Sequence, residues 1–203
     1  MADLRRPRLV LASASPFRRR MLEAAGLAFA VAPADIDEAA FQDGLLRSGS
    51  LPPAIAEALA VRKAEATSTQ VPDALVIGAD QVLALGAEMF RKPASVAEAR
   101  EQLLRLRGKT HALHSAVALA LRGKAVWVHT ETATLAMRRF TQAFLADYLA
   151  RVSERVCRTV GAYEIEGPGI QLMERVEGDL FTVIGLPLLP LLSELRARGA
   201  IDP

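Results

Sequence analysis

The run Leu-Val-Ile-Gly-Ala-Asp at residues 75–80 decides the fold predicted for this 203-residue chain. Five apolar or small residues followed by a carboxylate indicate a strand that is covered on both faces and ends in a polar group. Buried strands of this kind are typical of α/β proteins, in which ligands gather at the carboxyl ends of the strands. The pattern therefore predicts a helix-flanked sheet with Asp80 at its functional edge.

Upstream of this run, a second strand pattern leads directly into a helix. Leu9–Ala12 read as a buried strand, and Ser15 followed by Pro16 supplies an N-cap and a first-turn proline. The hydroxyl of Ser13 and the free N–H groups of the helix favour an anion such as phosphate, which Arg18 can also bind. An ordinary capped helix with solvated arginines explains the same stretch equally well. A cation in the first turn opposes the helix dipole, so we expect Arg18 to add nothing to stability.

The rest of the chain alternates between helix and strand patterns, which places it in the α/β class. We expect one domain spanning residues 1–203, with a mixed sheet that includes an antiparallel hairpin. Helices are predicted from Pro52, from the capping box at 95–98 to about Gly108, from Thr141 to about Arg151 and over 189–198. Strands are predicted over 112–121, 125–137, 169–176 and 181–184, and loops and short turns over 31–51.

Composition excludes several classes of protein. A formal net charge of +2 and an aromatic content of 5% argue against a nucleic-acid binder or RNA-binding module. The single cysteine cannot form an intramolecular disulfide, which fits a reducing compartment. The apolar run at 9–12 is too short for a signal-peptide core, and no stretch approaches the roughly 20 residues of a membrane span. We expect a cytoplasmic protein without membrane or stable nucleic-acid partners.

Scattered charged residues supply the groups that a metal–polyphosphate site needs. Glu38 and Asp80 offer carboxylates, and Lys63 and Lys92 offer ammonium groups. Mg²⁺ commonly takes one or two carboxylates together with the phosphates of a substrate. Each residue alone is also an ordinary surface charge, so this inventory does not define a geometry.

Taken in order, the motifs of this chain resemble those of the Maf family of nucleotide pyrophosphatases. The resemblance extends from about Leu9 to Arg198, and the ordered set is far more specific than any one motif. The matching segments are LASASPFRRRMLEAAGL, ADIDE, RKAEA, GADQVLALG, RKP, LRGKTH, GAYEIEG and VEGDLFTVIGLPL.

The resemblance implies an elongated, ITPase-like α/β fold around a mixed sheet, with a nucleotide cleft between two lobes. It also implies hydrolysis of a nucleoside triphosphate to a monophosphate and pyrophosphate, a divalent metal (Mg²⁺ or Mn²⁺) and a homodimer. The site residues carried over by motif are Asp80 as the catalytic residue, Glu38 and Asp80 as metal ligands, and Ser13, Ser15, Arg18, Lys63 and Lys92 as phosphate-binding residues.

Three further positions concern the choice of base. The dTTP/UTP branch of the family has Arg, Thr and Gln where this chain has Phe17, Gln81 and Glu166. An aromatic residue, Gln and Glu at these places resemble the branch that prefers 7-methyl-GTP. We therefore predict that all three residues bind substrate. A carboxylate can accept the N1–H and N2–H donors of guanine, and an aromatic face can stack on the cationic 7-methylated ring.

The main alternative is a non-catalytic, nucleotide-sensing regulator of cell division that acts through a partner. Such a protein would keep the binding residues and could lose Asp80. The joint presence of Asp80, Glu38, Lys63 and Lys92 favours the enzyme.

Overall fold

The computed structural model describes residues 6–203, which form a seven-stranded mixed sheet flanked by helices. The strands are β1 (Arg8–Leu11), β2 (Phe29–Val31), β3 (Ala74–Leu85), β4 (Glu88–Phe90), β5 (Thr110–Leu121), β6 (Lys124–Met137) and β7 (Met173–Glu177). The helices are α1 (Pro16–Ala24), α2 (Glu38–Arg47), α3 (Pro52–Gln70), α4 (Val96–Leu106), α5 (Gln142–Val152), α6 (Leu180–Ile184) and α7 (Leu188–Ala197).

The strand order is β2-β1-β3-β5-β6-β7, and β4 pairs with β3 outside this path. β1 runs parallel to β2 and β3, whereas all other pairs are antiparallel. The predicted α/β class, mixed sheet and β5–β6 hairpin are thus confirmed. The assignment of 1–203 to one domain stays a prediction, and residues 1–5 lie outside the described range.

The central strand β3 is longer than predicted, and Asp80 lies in its middle rather than at its end. The strand continues to Leu85 because β5 pairs with it antiparallel from Val76 to Ala84. The parallel partner β1, in contrast, stops opposite Ile77. Asp80 therefore follows the end of the parallel pairing, not the end of the strand.

One edge of β3 is open beside Asp80. Pairing with β1 ends at Ile77, and pairing with β4 begins only at Leu83. Within the described part of the chain, no strand covers residues 78–82 on that edge. This gap gives a ligand access to both faces of β3 at the same place.

The helix signals in the sequence are confirmed in most cases. The side chains of Ser15, Ser95 and Thr141 each accept a hydrogen bond from the first turn of the helix that they precede. Gly26 ends α1 with a positive φ of 76°, a conformation in which a side chain would be strained.

Two regions were predicted wrongly. Residues 31–51 are not a loop: they contain the end of β2 and the helix α2, which is capped by Asp37 and packs through Phe41 and Leu45. Residues 181–184 form helix α6 rather than a strand, because the Asp179 side chain accepts a hydrogen bond from Thr182 N. This local cap outweighs the strand propensity of Phe-Thr-Val-Ile.

The predicted strand over 169–176 is correct only in its second half. Residues Pro168–Leu172 form a 3₁₀ helix that begins with a proline. Strand β7 starts at Met173 and pairs with β6. The apolar residues of 169–176 did not by themselves distinguish the 3₁₀ helix from strand β7.

Two apolar clusters lie at opposite ends of the sheet. One is packed under α1 and α7 and includes Leu11, Leu22 and Leu191. The other is packed under α4 and α5 and includes Leu103 and Leu145. In the described residues, no helix is long and apolar enough to cross a membrane.

A third cluster joins α3 to the sheet and brings the two elements unusually close. Ala56, Ala60 and Ala64 of α3 are fully buried against β3 and β5. A Cβ atom added at Gly78 would lie 2.6 Å from Ala64 N and would also overlap Ala60 O. The absence of a side chain at Gly78 therefore sets the distance between α3 and β3.

We expect Gly78→Ala to lower the free energy of unfolding by about 1–3 kcal/mol or more, because the overlap is with main-chain atoms. Urea unfolding measures the change. Gly44→Ala is the control, since a Cβ there meets no atom within 4 Å and the site lies in helix α2. That change should leave stability equal or raise it by up to about 1 kcal/mol. Equal stabilities of the two variants would contradict the close-approach argument.

Candidate active site

A cleft of about 690 Å³ is lined by residues 80–82 of β3 and by parts of α1, α2 and α3. The loop after β4 and residues 157–160 complete its wall. A volume of this size suits a nucleotide-sized ligand. The cleft brings together most of the predicted site residues, namely Ser13, Ser15, Phe17, Arg18, Glu38, Lys63, Asp80, Gln81 and Lys92.

The centre of the cleft is a lysine held between two carboxylates. Lys63 Nζ lies 2.7 Å from Asp80 Oδ1 and 2.6 Å from Glu38 Oε2. Lys63 and Asp80 are buried, whereas the Glu38 side chain is 52% exposed. Breaking such a buried pair by removing one partner is costly, because the other charge is left uncompensated.

The second carboxylate oxygen of Asp80 remains available. Lys63 occupies Oδ1, and no donor within residues 6–203 reaches Oδ2. That oxygen is not sealed from solvent. Asp80 can therefore accept a proton or a hydrogen bond from a molecule in the cleft.

The turn between β1 and α1 is already ordered by its own hydrogen bonds. Ser13 Oγ accepts from Ser15 N and from Arg18 Nη1, each at 3.2 Å. Ser15 Oγ accepts from Arg18 N at 3.4 Å and so caps the helix. The turn is preorganised to present the helix N-terminus to an anion.

Arg18 has a structural role that the sequence did not reveal. Its Nε donates to Gly185 O at 2.9 Å, and its Nη1 donates to Ala79 O at 2.8 Å on the open edge of β3. Burial lowers the pKa of the guanidinium, while the charges of Asp80 and Glu38 act in the opposite direction. These hydrogen bonds argue against the expectation that Arg18 adds nothing to stability, and an unfolding measurement decides between the two.

Part of the Arg18 guanidinium is still available to a ligand. Within residues 6–203, Arg18 Nη2 has no acceptor, and the side chain borders the cleft. Arg18 thus ties α1 to β3 and to Gly185 while keeping donors for an anion.

Lys92 adds a third positive charge at the cleft wall. Partial burial lowers its pKa, and the nearby charges of Arg18 and Lys63 lower it further. Arg91 and Arg158 also line the cleft, so five cations face the two carboxylates of Asp80 and Glu38, and an anion can offset the excess positive charge. The arrangement favours a polyphosphate chain over a neutral ligand.

The three residues predicted to select the base lie together. Phe17, Gln81 and Glu166 line a second, narrower cavity, and Phe17 and Gln81 also belong to the main cleft. The Arg20 guanidinium lies 4.9 Å from the centre of the Phe17 ring and 3.5 Å from Glu166 Oε1. An aromatic face and a carboxylate therefore already hold one cation between them.

The loop that bears Glu166 is anchored by a contact that the sequence analysis missed. His111 Nε2 and the Tyr163 hydroxyl are 2.7 Å apart and buried. Burial lowers the pKa of His111 to about 4, so the imidazole is neutral at pH 7. His111 is 52 residues from its partner, and nothing in either local pattern predicts the contact.

Thr159 and Val160 were also missed as site residues, although they line both cavities. A turn between short elements carries no periodic signal that would place its side chains in a cleft.

Glu38 and Asp80 fit the oxygen-ligand chemistry of Mg²⁺ or Mn²⁺. Both contact the same ammonium group, so their carboxylates converge on one place. Within residues 6–203, no group of three or more His, Cys, Asp and Glu side chains is arranged to hold a metal. The residues therefore suit a metal shared with substrate phosphates rather than an all-protein site.

The chain is similar in sequence to a known family and to several known proteins. Residues 8–198 match a family model described as Maf-like protein. A 7-methyl-GTP pyrophosphatase from Rhizobium johnstonii is 52% identical over 97% of this chain and 98% of its own length. A 7-methyl-GTP pyrophosphatase from Brucella abortus is 50% identical over 96% of the chain and 98% of its own length. A nucleoside triphosphate pyrophosphatase from Paramagnetospirillum magneticum is 50% identical over 96% of the chain and its entire length.

The double role of Arg18 leads to a testable prediction. Arg18→Ala leaves Ala79 O and Gly185 O without a donor, so the free energy of unfolding should fall by about 2 kcal/mol or more. Lost contacts to the phosphate chain should also raise KM for a triphosphate by about tenfold or more. Chemical denaturation and steady-state kinetics measure the two effects.

Arg19→Ala is the matched control. Arg19 is exposed and, among residues 6–203, pairs only with Glu23 on the same helix, so stability should change by at most about 0.5 kcal/mol. An Arg18→Ala protein as stable as this control would contradict the structural role of Arg18.

Proposed function

This chain belongs to the Maf family, and from that membership we propose that it hydrolyses a nucleoside triphosphate to a monophosphate and pyrophosphate. The observation that supports the proposal most directly is the placement of Lys63 between Asp80 and Glu38, inside a cleft with an anion-binding turn. The similarity to relatives named pyrophosphatases points to the same reaction.

In the proposed reaction, water attacks the α-phosphorus of the triphosphate. The new bond joins the water oxygen to phosphorus, and the bond to the bridging oxygen of the β-phosphate breaks. Asp80 Oδ2 orients the water and accepts its proton, while Lys63 holds Oδ1 in place. Pyrophosphate leaves as the second product.

The positive groups of the cleft offset charge on the phosphates. Arg18, Lys63 and Lys92 lie where they can stabilise charge that develops on the phosphoryl and leaving oxygens. Ser13 and Ser15 place the helix N-terminus of α1 against the same anion. We propose Glu38 and Asp80 as ligands of Mg²⁺ or Mn²⁺, which would supply further charge neutralisation when bound.

For the base, we propose 7-methylguanine as the preferred group. Phe17 presents an aromatic face and Glu166 a carboxylate, and both contact the Arg20 cation, whose place a cationic purine could take. Glu166 can also accept hydrogen bonds from the N1–H and N2–H donors of guanine. Two of the relatives named above are 7-methyl-GTP pyrophosphatases.

The homodimer and the cytoplasmic location implied by the family resemblance remain parts of the proposal. Light scattering of the purified protein tests the dimer. The alternative of a non-catalytic regulator draws no support from the relatives, whose names describe pyrophosphatases.

We expect Asp80→Asn to lower kcat by about 10²-fold or more, in line with the loss of a general base. Nucleotide binding should be largely retained, because the amide oxygen of asparagine can still accept from Lys63 and Glu38 still offsets the lysine charge. Turnover is measured by pyrophosphate release and by phosphorus NMR of the products. Asp73→Asn, an exposed carboxylate just before β3, is the control and should keep full activity.

Near-normal turnover of Asp80→Asn would remove Asp80 from the chemical step. Nucleoside diphosphate and orthophosphate as products would show attack at a different phosphorus.

The choice of base is tested with a panel of triphosphates. We expect 7-methyl-GTP to have a higher kcat/KM than dTTP or UTP. Glu166→Gln should erode that preference, since a matched acceptor for the base is lost. Glu154→Gln, an exposed carboxylate outside both cavities, should leave the ranking unchanged. If dTTP or UTP proved the best substrate, the base assignment would be wrong and the pyrophosphatase proposal would stand.

A further inference from the structure

The side-chain amide of Gln81 is surrounded by acceptors on one side. Gln81 and Ser115 lie directly opposite each other in the β3–β5 pairing. Gln81 Nε2 donates to Ser115 Oγ at 2.9 Å, to Thr182 O at 3.1 Å and to Val183 O at 3.0 Å. Both hydrogens of the amide are therefore directed into the protein.

These partners permit only one orientation of the amide. The main-chain oxygens of Thr182 and Val183 can only accept hydrogen bonds. Ser115 Oγ donates its own hydrogen to Thr182 O at 2.8 Å, so it also acts as an acceptor for Gln81. A flipped amide would place Gln81 Oε1 against three oxygen atoms.

The acceptors are themselves fixed in place. Ser115 and Thr182 are fully buried. Thr182 Oγ1 donates to Glu131 Oε2 at 2.6 Å, and Thr182 N donates to the Asp179 side chain at 3.1 Å. Helix α6 is thereby attached to Glu131 of strand β6 and to its own N-cap, Asp179. These contacts keep its carbonyl groups directed toward Gln81.

The opposite end of the amide is free. Within residues 6–203, no donor reaches Gln81 Oε1, and this oxygen is not sealed from solvent. Gln81 borders both the phosphate cleft and the cavity of Phe17 and Glu166. At this junction Gln81 itself presents an acceptor and no donor.

We infer that Ser115 and Thr182 are positioning residues that fix Gln81 as a hydrogen-bond acceptor for a donor group on the nucleoside part of the substrate. The inference rests on the proposed function and adds to it the chemistry that Gln81 recognises. Two groups of a guanine nucleotide supply such a donor: the exocyclic 2-amino group of the base and a hydroxyl group of the ribose. A ligand with only an acceptor at this place is rejected, because the amide cannot flip to match it.

The segment VEGDLFTVIG, residues 176–185, gains a role in this way. Its Asp179 and Thr182 hold helix α6 under Gln81, and the carbonyl of Gly185 accepts from Arg18. One segment thus orients both the phosphate-side arginine and the base-side glutamine. It does so through main-chain oxygens.

The test combines substrate analogues with a double-mutant cycle. kcat/KM is measured for 7-methyl-GTP, for 7-methyl-ITP, which lacks the 2-amino group, and for the 2′- and 3′-deoxy forms of 7-methyl-GTP. In the wild type, loss of the recognised donor should lower kcat/KM about fivefold or more. Ser115→Ala should shrink the ratio of kcat/KM between 7-methyl-GTP and the discriminated analogue about threefold. Gln81→Met should remove the whole ratio for a ribose hydroxyl, and for the 2-amino group it should leave only the part that Glu166 supplies.

The double-mutant cycle distinguishes an effect of Ser115→Ala that acts through Gln81 from a general loss of stability or activity. In the Gln81→Met background, Ser115→Ala should have no further effect on the ratio, because the group that it positions is gone. Thr182→Val serves as a second variant if Ser115→Ala folds poorly. Ser68→Ala is the matched control: Ser68 is fully buried and accepts from Gly123 N, so its loss should lower stability without changing the ratio.

The outcomes distinguish failure of the proposed role of Ser115 and Thr182 from failure of the proposed function. An analogue that identifies either the 2-amino group or a ribose hydroxyl supports the inference and names the source of the donor. Equal kcat/KM for all analogues, or an effect of Ser115→Ala that persists without Gln81, overturns it. If no triphosphate is hydrolysed, the proposed function fails. The inference is then tested with dissociation constants of the same nucleotides and variants, and the ratios of affinity between 7-methyl-GTP and its analogues replace the ratios of kcat/KM.

Discussion

The ion pair between Lys63 and Asp80 is the interaction on which the rest of the site depends. It requires a helix and a strand to approach closely, which the alanines of α3 and the missing side chain of Gly78 permit. Burial makes the pair costly to form unless both charges are fully matched. Glu38, contributed by α2, provides the second contact to the ammonium group. The fold thus places a charged group in its interior at the point where the sheet is open to a ligand.

That opening is a consequence of how β3 changes partners along its length. It pairs with β1 at its start and with β4 at its end, and β5 supports it throughout. The five residues between the two partners keep strand geometry while one edge stays accessible. Successive side chains of a strand point to opposite faces, so Asp80 turns toward Lys63 while Gln81 turns toward α6. One dipeptide therefore serves the phosphate side and the base side of the cleft.

Arg18 and Gln81 connect the phosphate side and the base side of the cleft to one segment of the chain. Arg18 donates to Ala79 O on the open edge and to Gly185 O, and Gln81 donates to Thr182 O and Val183 O. Both side chains are thus attached to the same short segment at the end of α6. A shift of that segment would move the phosphate contact and the base contact together. The separation between them is fixed by main-chain geometry rather than by flexible side chains.

The sequence by itself determined the α/β class, the caps at Ser15, Ser95 and Thr141, and the identity of most residues in the cleft. These features depend on local patterns and on ordered motifs, which a sequence displays directly. Helix α2, the extension of β3 and the helical form of 181–184 needed the tertiary structure, because partners distant in sequence or a single cap decided them. The same holds for the stabilising role of Arg18 and the orientation of Gln81. Most of their partners are main-chain carbonyl groups, which every residue type possesses, so the pattern of side chains in the sequence does not reveal these contacts.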